Sequence, residues 1–144
     1  MSKIAVGKKV PDSALPVKGE KLVLYFYPKD MTSGCTLESQ QFRDLHAAFR
    51  KARTRVFGVS RDSAASHEKF KKKESLPFEL LSDEDEKLCR LFDVIKEKSL
   101  YGRKYMGIER STFLIDAEGV LRQEWRKVKV PGHAQEVLEA ARAL

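Results

Sequence analysis

Hydrophobic and polar positions along the chain fall into a succession of patterns, each of which predicts an element. Residues 21–27, KLVLYFY, are apolar almost without interruption, as in a central strand covered on both faces. From Cys35 to Ala52 the apolar residues Phe42, Leu45, Phe49 and Ala52 recur at spacings of three and four, with Arg43, Asp44, Arg50 and Lys51 facing away. That periodicity predicts one helix lying on the strand. RVFGVS, residues 55–60, predicts a second buried strand, and SAASHEKFKKKE from Ser63 the helix after it. FELLSD predicts a short strand or extended segment whose Ser82 and Asp83 open a further helix, EDEKLCRLFDVI, with Asp85 and Glu86 in its first turn, where the helix dipole favours acids. STFLID, residues 111–116, is a strand, AEG a turn and VLRQEWRKV the hairpin partner. HAQEVLEAARAL predicts a terminal helix with Val137, Leu138 and Ala141 toward the core.

Strand and helix alternate, then a hairpin and a final helix follow, which argues for one α/β domain over residues 1–144 with a mixed central sheet flanked by helices. The arrangement resembles the thioredoxin-like fold. At 42% hydrophobic and 34% charged residues the composition is that of a globular chain. No stretch approaches the roughly 18 to 20 apolar residues of a membrane span, and MSKIAVGKKV lacks the apolar centre of a signal peptide. The expected location is the cytoplasm, with no membrane partner. A net charge of +7 raises the question of nucleic acid, but the densest basic run, KFKKKE, sits on the solvated face of a predicted helix and no aromatic-interleaved basic stripe accompanies it. Nucleic acid is not an expected partner.

The candidate chemistry lies in YFYPKDMTSGCT, where the first strand breaks at Pro28 and a polar loop delivers Cys35 to the start of a helix. With Thr32 as N-cap, Cys35 is the third helical residue. A thiolate there faces unpaired backbone N–H groups and the positive end of the helix dipole, with the Thr32 hydroxyl in range. This layout predicts a partly exposed, nucleophilic sulfur; the plain alternative is a small buried hydrophobe. Thr32 stands where a dithiol reductase would carry the first thiol of Cys-x-x-Cys, so exchange through an adjacent pair is excluded. Arg110, just ahead of an apolar strand, can aim a permanent positive charge at the sulfur, or can equally form a surface ion pair with Glu109 or another acid. Cys89 is 89 − 35 = 54 positions from Cys35, and neither has a second Cys or His at metal-ligand spacing. His46, His67 and His133 show no carboxylate or cysteine constellation and are expected to face solvent or cap helices. Tyr101 and Tyr105 fall in a predicted loop before Arg110, and Trp125 is read as hairpin packing.

Taken together these residues resemble the peroxiredoxins, and among them the peroxiredoxin Q or bacterioferritin comigratory protein branch. The family pattern Pro-x-x-x-Thr-x-x-Cys stands at Pro28, Thr32 and Cys35, and GVSRDS, PFELLSDEDEKLCRLFDV and YMGIERSTFLIDAEG extend the likeness from about Val23 to the C-terminus. The resemblance implies a thiol-dependent reduction of hydrogen peroxide and organic hydroperoxides. Cys35 would be the peroxidatic cysteine and become a sulfenic acid, Thr32 and Arg110 would hold the peroxide oxygens, Pro28 would shield the sulfur, and the Gly34 and Cys35 amides would add donors. It implies no metal, haem, flavin or other cofactor.

Three departures from the branch shape the expectation. Ser33 replaces a common proline at the first helical position, which loosens the helix start. Gln40 stands where many members carry a resolving cysteine five residues after the first. The sulfenic acid is therefore expected to be reduced by an outside thiol (thioredoxin, or glutaredoxin with glutathione), with Cys89 as a possible resolving residue only if two α-carbons can come within about 7 Å. Residues 1–21 are shorter than in relatives. A monomer is expected, with a weak dimer left open. A thioredoxin-fold reductase or glutathione transferase, and a redox sensor or holdase triggered at Cys35, remain alternative functions.

Overall fold

The computed structural model describes residues 4–144. In chain order the elements are β1 (Lys21–Phe26), α1 (Ser33–Asp44), α2 (His46–Lys51), β2 (Thr54–Ser60), α3 (Ala64–Glu74), β3 (Leu80–Ser82), α4 (Lys87–Leu91), β4 (Ile95–Leu100), β5 (Arg103–Ile108), β6 (Ser111–Ile115), β7 (Leu121–Trp125) and α5 (His133–Arg142). A single turn of 3-10 helix at Asp12–Ala14 precedes them.

β1 is buried from Leu22 to Phe26 and takes the centre of a five-stranded sheet of order β3-β2-β1-β6-β7. β1 pairs with β2, and β2 with β3, in parallel; β1 pairs with β6, and β6 with β7, antiparallel. This is the mixed, helix-flanked sheet the sequence pattern predicts. Because successive strand residues point to opposite faces, β1 divides two cores. Val23, Tyr25 and Tyr27 pack with Cys35, Phe42, Phe70 and Val137 on one side, whereas Leu22, Leu24 and Phe26 pack with Cys89, Phe92 and Phe113 on the other. Gly58 of β2 makes room for this packing: a Cβ there would lie 2.7 Å from Leu80 and 2.8 Å from the Tyr25 ring. The N-terminal segment is tied on by a bridge between Lys9 and Val120, by backbone hydrogen bonds of Gly7, Lys8 and Val10 to the residues around Leu121, and by Ile4 and Val10 in the core.

Three expectations need correcting. The helix predicted from Cys35 to Ala52 is two helices, with a break at Leu45; both rest on the same core, so the apolar spacing runs through the break unaltered. The helix expected after Asp83 is only Lys87–Leu91, because Glu86 and Asp93 at its ends adopt left-handed φ of 61° and 54°. The Asp83 carboxylate nevertheless caps it, accepting from the Leu88 and Cys89 N–H groups at 3.0 and 2.8 Å. Finally, Tyr105 lies not in a loop but on a strand of an antiparallel β4–β5 hairpin that forms its own two-stranded sheet, with Tyr101 in its exposed turn.

Candidate active site

After β1, a six-residue connection from Tyr27 to Thr32 turns the chain into α1. Pro28 is half-buried, and Met31 is held at φ 62°, a left-handed conformation that costs a non-glycine residue energy. Thr32 is the N-cap, as predicted, and Cys35 is the third residue of the helix. The capping side-chain bond is absent. Instead the Thr32 hydroxyl donates to the Lys29 carbonyl at 2.8 Å, which commits its proton and leaves its lone pairs to accept from a ligand. The first helical bond runs from the Thr36 N–H to the Thr32 carbonyl, so by helix geometry the Ser33, Gly34 and Cys35 amides lack intrahelical acceptors.

Cys35 is 1% exposed, which corrects the expectation of a partly exposed sulfur. Its side chain is covered because α1 lies on β1 and carries Cys35 into the core formed around Tyr25, Tyr27 and Phe42. Arg110 enters from the segment ahead of β6. Its Nη2 donates to Cys35 Sγ at 3.3 Å and its Nη1 to Glu38 Oε1 at 2.6 Å, so one guanidinium fork spans both. The surface pair with Glu109 does not form. Gly34 permits this approach, since a Cβ at that position would stand 3.3 Å from Nη2.

Glu38 is a residue of the site that the sequence reading missed, although it lies three residues after Cys35 and hence on the same helix face. Its side chain is 1% exposed and its Oε2 has no hydrogen-bond partner. Burial pushes the carboxyl up to about 7, against the opposing pull of Arg110. A second missed group is Lys98 of β4, whose ammonium is held below the usual lysine range by burial and by the positive charge of Arg110. Its contribution from a strand with no clear alternation hid it.

The structure does not bring Cys89 into this site. Cys89 is fully buried in the core on the other side of β1, and burial together with the Asp83 carboxylate pushes its thiol far up. Both cysteines are free thiols. The histidines also depart from expectation. His67 is buried against Asp30, and His133, at the start of α5, is buried with its Nε2 2.8 Å from the Thr112 hydroxyl; only His46 is partly solvent-facing.

Known proteins place this geometry. The AhpC/TSA family model matches residues 3–124. Peroxiredoxin Bcp of Bacillus subtilis is 52% identical across 94% of this chain and 94% of its own length, and Peroxiredoxin Bcp of Xanthomonas campestris is 57% identical across 87% of this chain and 78% of its own. Among solved structures, Xylella fastidiosa PrxQ superposes with a TM-score of 0.92 at 42% identity, covering 99% of this chain and 98% of that one. Xanthomonas campestris bacterioferritin comigratory protein, whose structure concerns its alkyl peroxide reduction activity, superposes with a TM-score of 0.84 at 56% identity over 88% of this chain and 80% of that one. What these proteins share with the sheet and the thiol described above is an enzyme class, that of the peroxiredoxins, thiol-dependent peroxidases that act on hydroperoxides. The chain belongs to the AhpC/TSA family, and its relatives lie in the Bcp or peroxiredoxin Q group.

Proposed function

We propose that this peroxiredoxin works by a one-cysteine mechanism centred on Cys35. The observation that carries the reading is the Arg110 fork, which touches both the sulfur and the buried Glu38. The Cys35 thiolate attacks the terminal oxygen of a hydroperoxide; an S–O bond forms, the O–O bond breaks, and the alkoxide or hydroxide leaves and takes a proton. The sulfur loses two electrons and the peroxide gains them. Thr32, its own proton committed to Lys29, accepts the hydroperoxide O–H, while Arg110 and the first amides of α1 stabilise charge developing on the departing oxygen. Pro28 covers the site from the loop side.

Reduction then needs a thiol from outside. It displaces water from the sulfenic acid to form a mixed disulfide, and a second thiol releases Cys35. Thioredoxin, or glutaredoxin with glutathione, supplies those thiols, and the first turn of α1 opens to present the buried sulfur. Support for an external thiol comes from the position of Cys89 across β1, from its raised thiol, and from Gln40. The chain acts as one domain and as a monomer, in the cytoplasm.

The test follows NADPH oxidation with hydrogen peroxide for the parent, Cys35→Ser and Cys89→Ser, with thioredoxin and glutaredoxin systems as separate electron sources and non-reducing mass spectrometry of the products. Activity lost with Cys35→Ser and kept with Cys89→Ser is the expected result. A Cys35–Cys89 disulfide in the parent, with turnover abolished by either substitution, overturns the one-cysteine mechanism, and full activity of Cys35→Ser overturns the assignment of the nucleophile.

A further inference from the structure

Asp30 lies in the middle of the connection that carries Thr32, and its side chain turns inward instead of to solvent. It is 4% exposed, and its carboxylate gathers three donors: the Tyr27 hydroxyl at 2.6 Å on Oδ1, and the Ser66 hydroxyl at 2.8 Å and His67 Nδ1 at 2.7 Å on Oδ2. The backbone N–H of Asp30 is held in turn by Asp62 Oδ2 at 2.8 Å, which also accepts from the Ser60 hydroxyl at 2.6 Å. The peroxide-binding loop is thus tied to α3 and to Tyr27, just after β1, through the Asp30 side chain, and to the segment after β2 through the Asp30 backbone N–H.

His67 is the far anchor of this knot. Its Nε2 lies 3.0 Å from the Leu81 carbonyl, an oxygen that can only accept, so Nε2 carries a proton. Its Nδ1 faces a carboxylate that already receives two hydroxyl donors, so Nδ1 carries one as well. The ring is then an imidazolium and the contact a buried ion pair, with side-chain exposures of 4% and 1%. The titration tendencies agree: burial lowers the histidine but the Asp30 hydrogen bond and charge raise it beyond its ordinary value, while Asp30, despite burial, is drawn down by His67, Tyr27 and Ser66. Asp30, Asp62 and His67 also bring ligand atoms within 4.8 Å of one another, a spacing compatible with a cation. However, the Asp30 oxygens and the Asp62 Oδ2 already receive protein donors, and the imidazolium itself is the positive charge that balances them.

We propose that His67 is a positioning residue for the peroxidase reaction: paired with Asp30, it locks the Pro28–Thr32 part of the connection in the register that sets the Thr32 hydroxyl over Cys35. The inference rests on the peroxidase reading of Cys35. Three features make the connection dependent on such a lock. Met31 is held in a left-handed conformation at φ 62°; the first helical position is Ser33 where a proline would preset φ; and the Thr32 hydroxyl bonds within the loop, to Lys29, instead of to α1. Displacing a reacting group by about 1 Å costs on the order of a hundredfold in rate.

The groups that face the imidazolium are Tyr27 just after β1, Asp30 from the connection and Asp62 from the segment after β2, with Ser66 one residue away on α3. The two acids favour its charged form. The lock is therefore complete at pH values below the raised value of His67 and is released as the pH climbs through it.

The experiment measures the second-order rate of sulfenic acid formation at Cys35, by dimedone trapping and mass spectrometry after mixing with hydrogen peroxide, across pH for the parent, His67→Gln and Asp30→Asn. Each variant keeps a neutral hydrogen-bonding group of similar size. A ten- to hundredfold loss for both, with the parent's alkaline decline missing from the profile of His67→Gln, is expected. Side-chain nitrogen NMR of the unmutated protein provides a second reading, with both ring nitrogens of His67 protonated at pH 7. If the variants fold and react within threefold of the parent with an unchanged profile, or if the His67 ring is neutral at pH 7, the proposal fails. A parent that itself forms no sulfenic acid at Cys35 defeats the peroxidase reading instead, a separate outcome.

Discussion

Replacing Glu38 by Gln isolates the energetic consequence of burying an acid beside the reactive sulfur. In the unfolded chain this carboxyl titrates near 4.5; in the folded protein burial outweighs Arg110 and moves it to about 7. Between those values the folded state holds the extra proton, so native stability falls as pH rises, by about 1.4 kcal/mol per pH unit. From pH 5 to 8.5 the group by itself removes about 2.5 kcal/mol. The substituted side chain, an amide, titrates nowhere in that range. Its oxygen still accepts from Arg110, but its nitrogen takes the place of the partnerless Oε2, at a cost of about 1 to 3 kcal/mol at every pH. Glu38→Gln is thus expected to match or fall below the parent near pH 5 and to gain about 2.5 kcal/mol on it by pH 8.5, roughly 5 to 10 °C in Tm. Urea denaturation at the two pH values, with m unchanged, reads this directly. A stability difference that stays constant within about 0.5 kcal/mol would refute the reasoning, because it would mean that Glu38 is ionised alike in both states.

Arg110→Lys keeps the charge but not the fork, and one ammonium cannot hold both Cys35 Sγ and Glu38 Oε1. The rate of Cys35 oxidation is expected to fall about a hundredfold, by analogy with loss of one oriented donor, in stopped-flow reaction with peroxide; a change under threefold would count against the fork. Gly58→Ala drives a methyl into Leu80 and the Tyr25 ring and is expected to destabilise the fold by about 1 to 3 kcal/mol in thermal or urea melts, with the Tyr25–Ser39 hydroxyl contact disturbed. Asp83→Ala removes both acceptors at the start of α4 and should cost about 1 to 2 kcal/mol and speed alkylation of Cys89 in the native protein; unaltered labelling would show that this carboxylate does not hold the helix.

Much of the candidate site was legible in advance because it is local. Thr32, Gly34 and Cys35 lie within four positions of one another around a helix start, and N-cap chemistry fixes their relation without reference to the rest of the chain. The elements misjudged share a different cause. Phe42, Leu45, Phe49 and Ala52 keep one apolar spacing across two helices, so no local signal marks the break at Leu45. The acidic run before Cys89 resembles a helical first turn, yet Glu86 is left-handed, a backbone state that its side chain does not announce. The β4–β5 strands carry charge and little alternation, and are largely exposed.

The order of apolar runs determined the mixed sheet, its central strand and the placing of a lone thiol at the start of a helix, since burial of a continuous apolar strand and the capping of a helix are properties of short segments. What surrounds that thiol was decided only by tertiary packing. Arg110 reaches Cys35 across 75 positions of sequence, His67 reaches Asp30 across 37, and Cys89 is kept from Cys35 by the intervening sheet. Charges and thiols carry no periodicity of their own. Which of them meet depends on how the helices close over the two faces of β1, and that closure is set by the whole core at once.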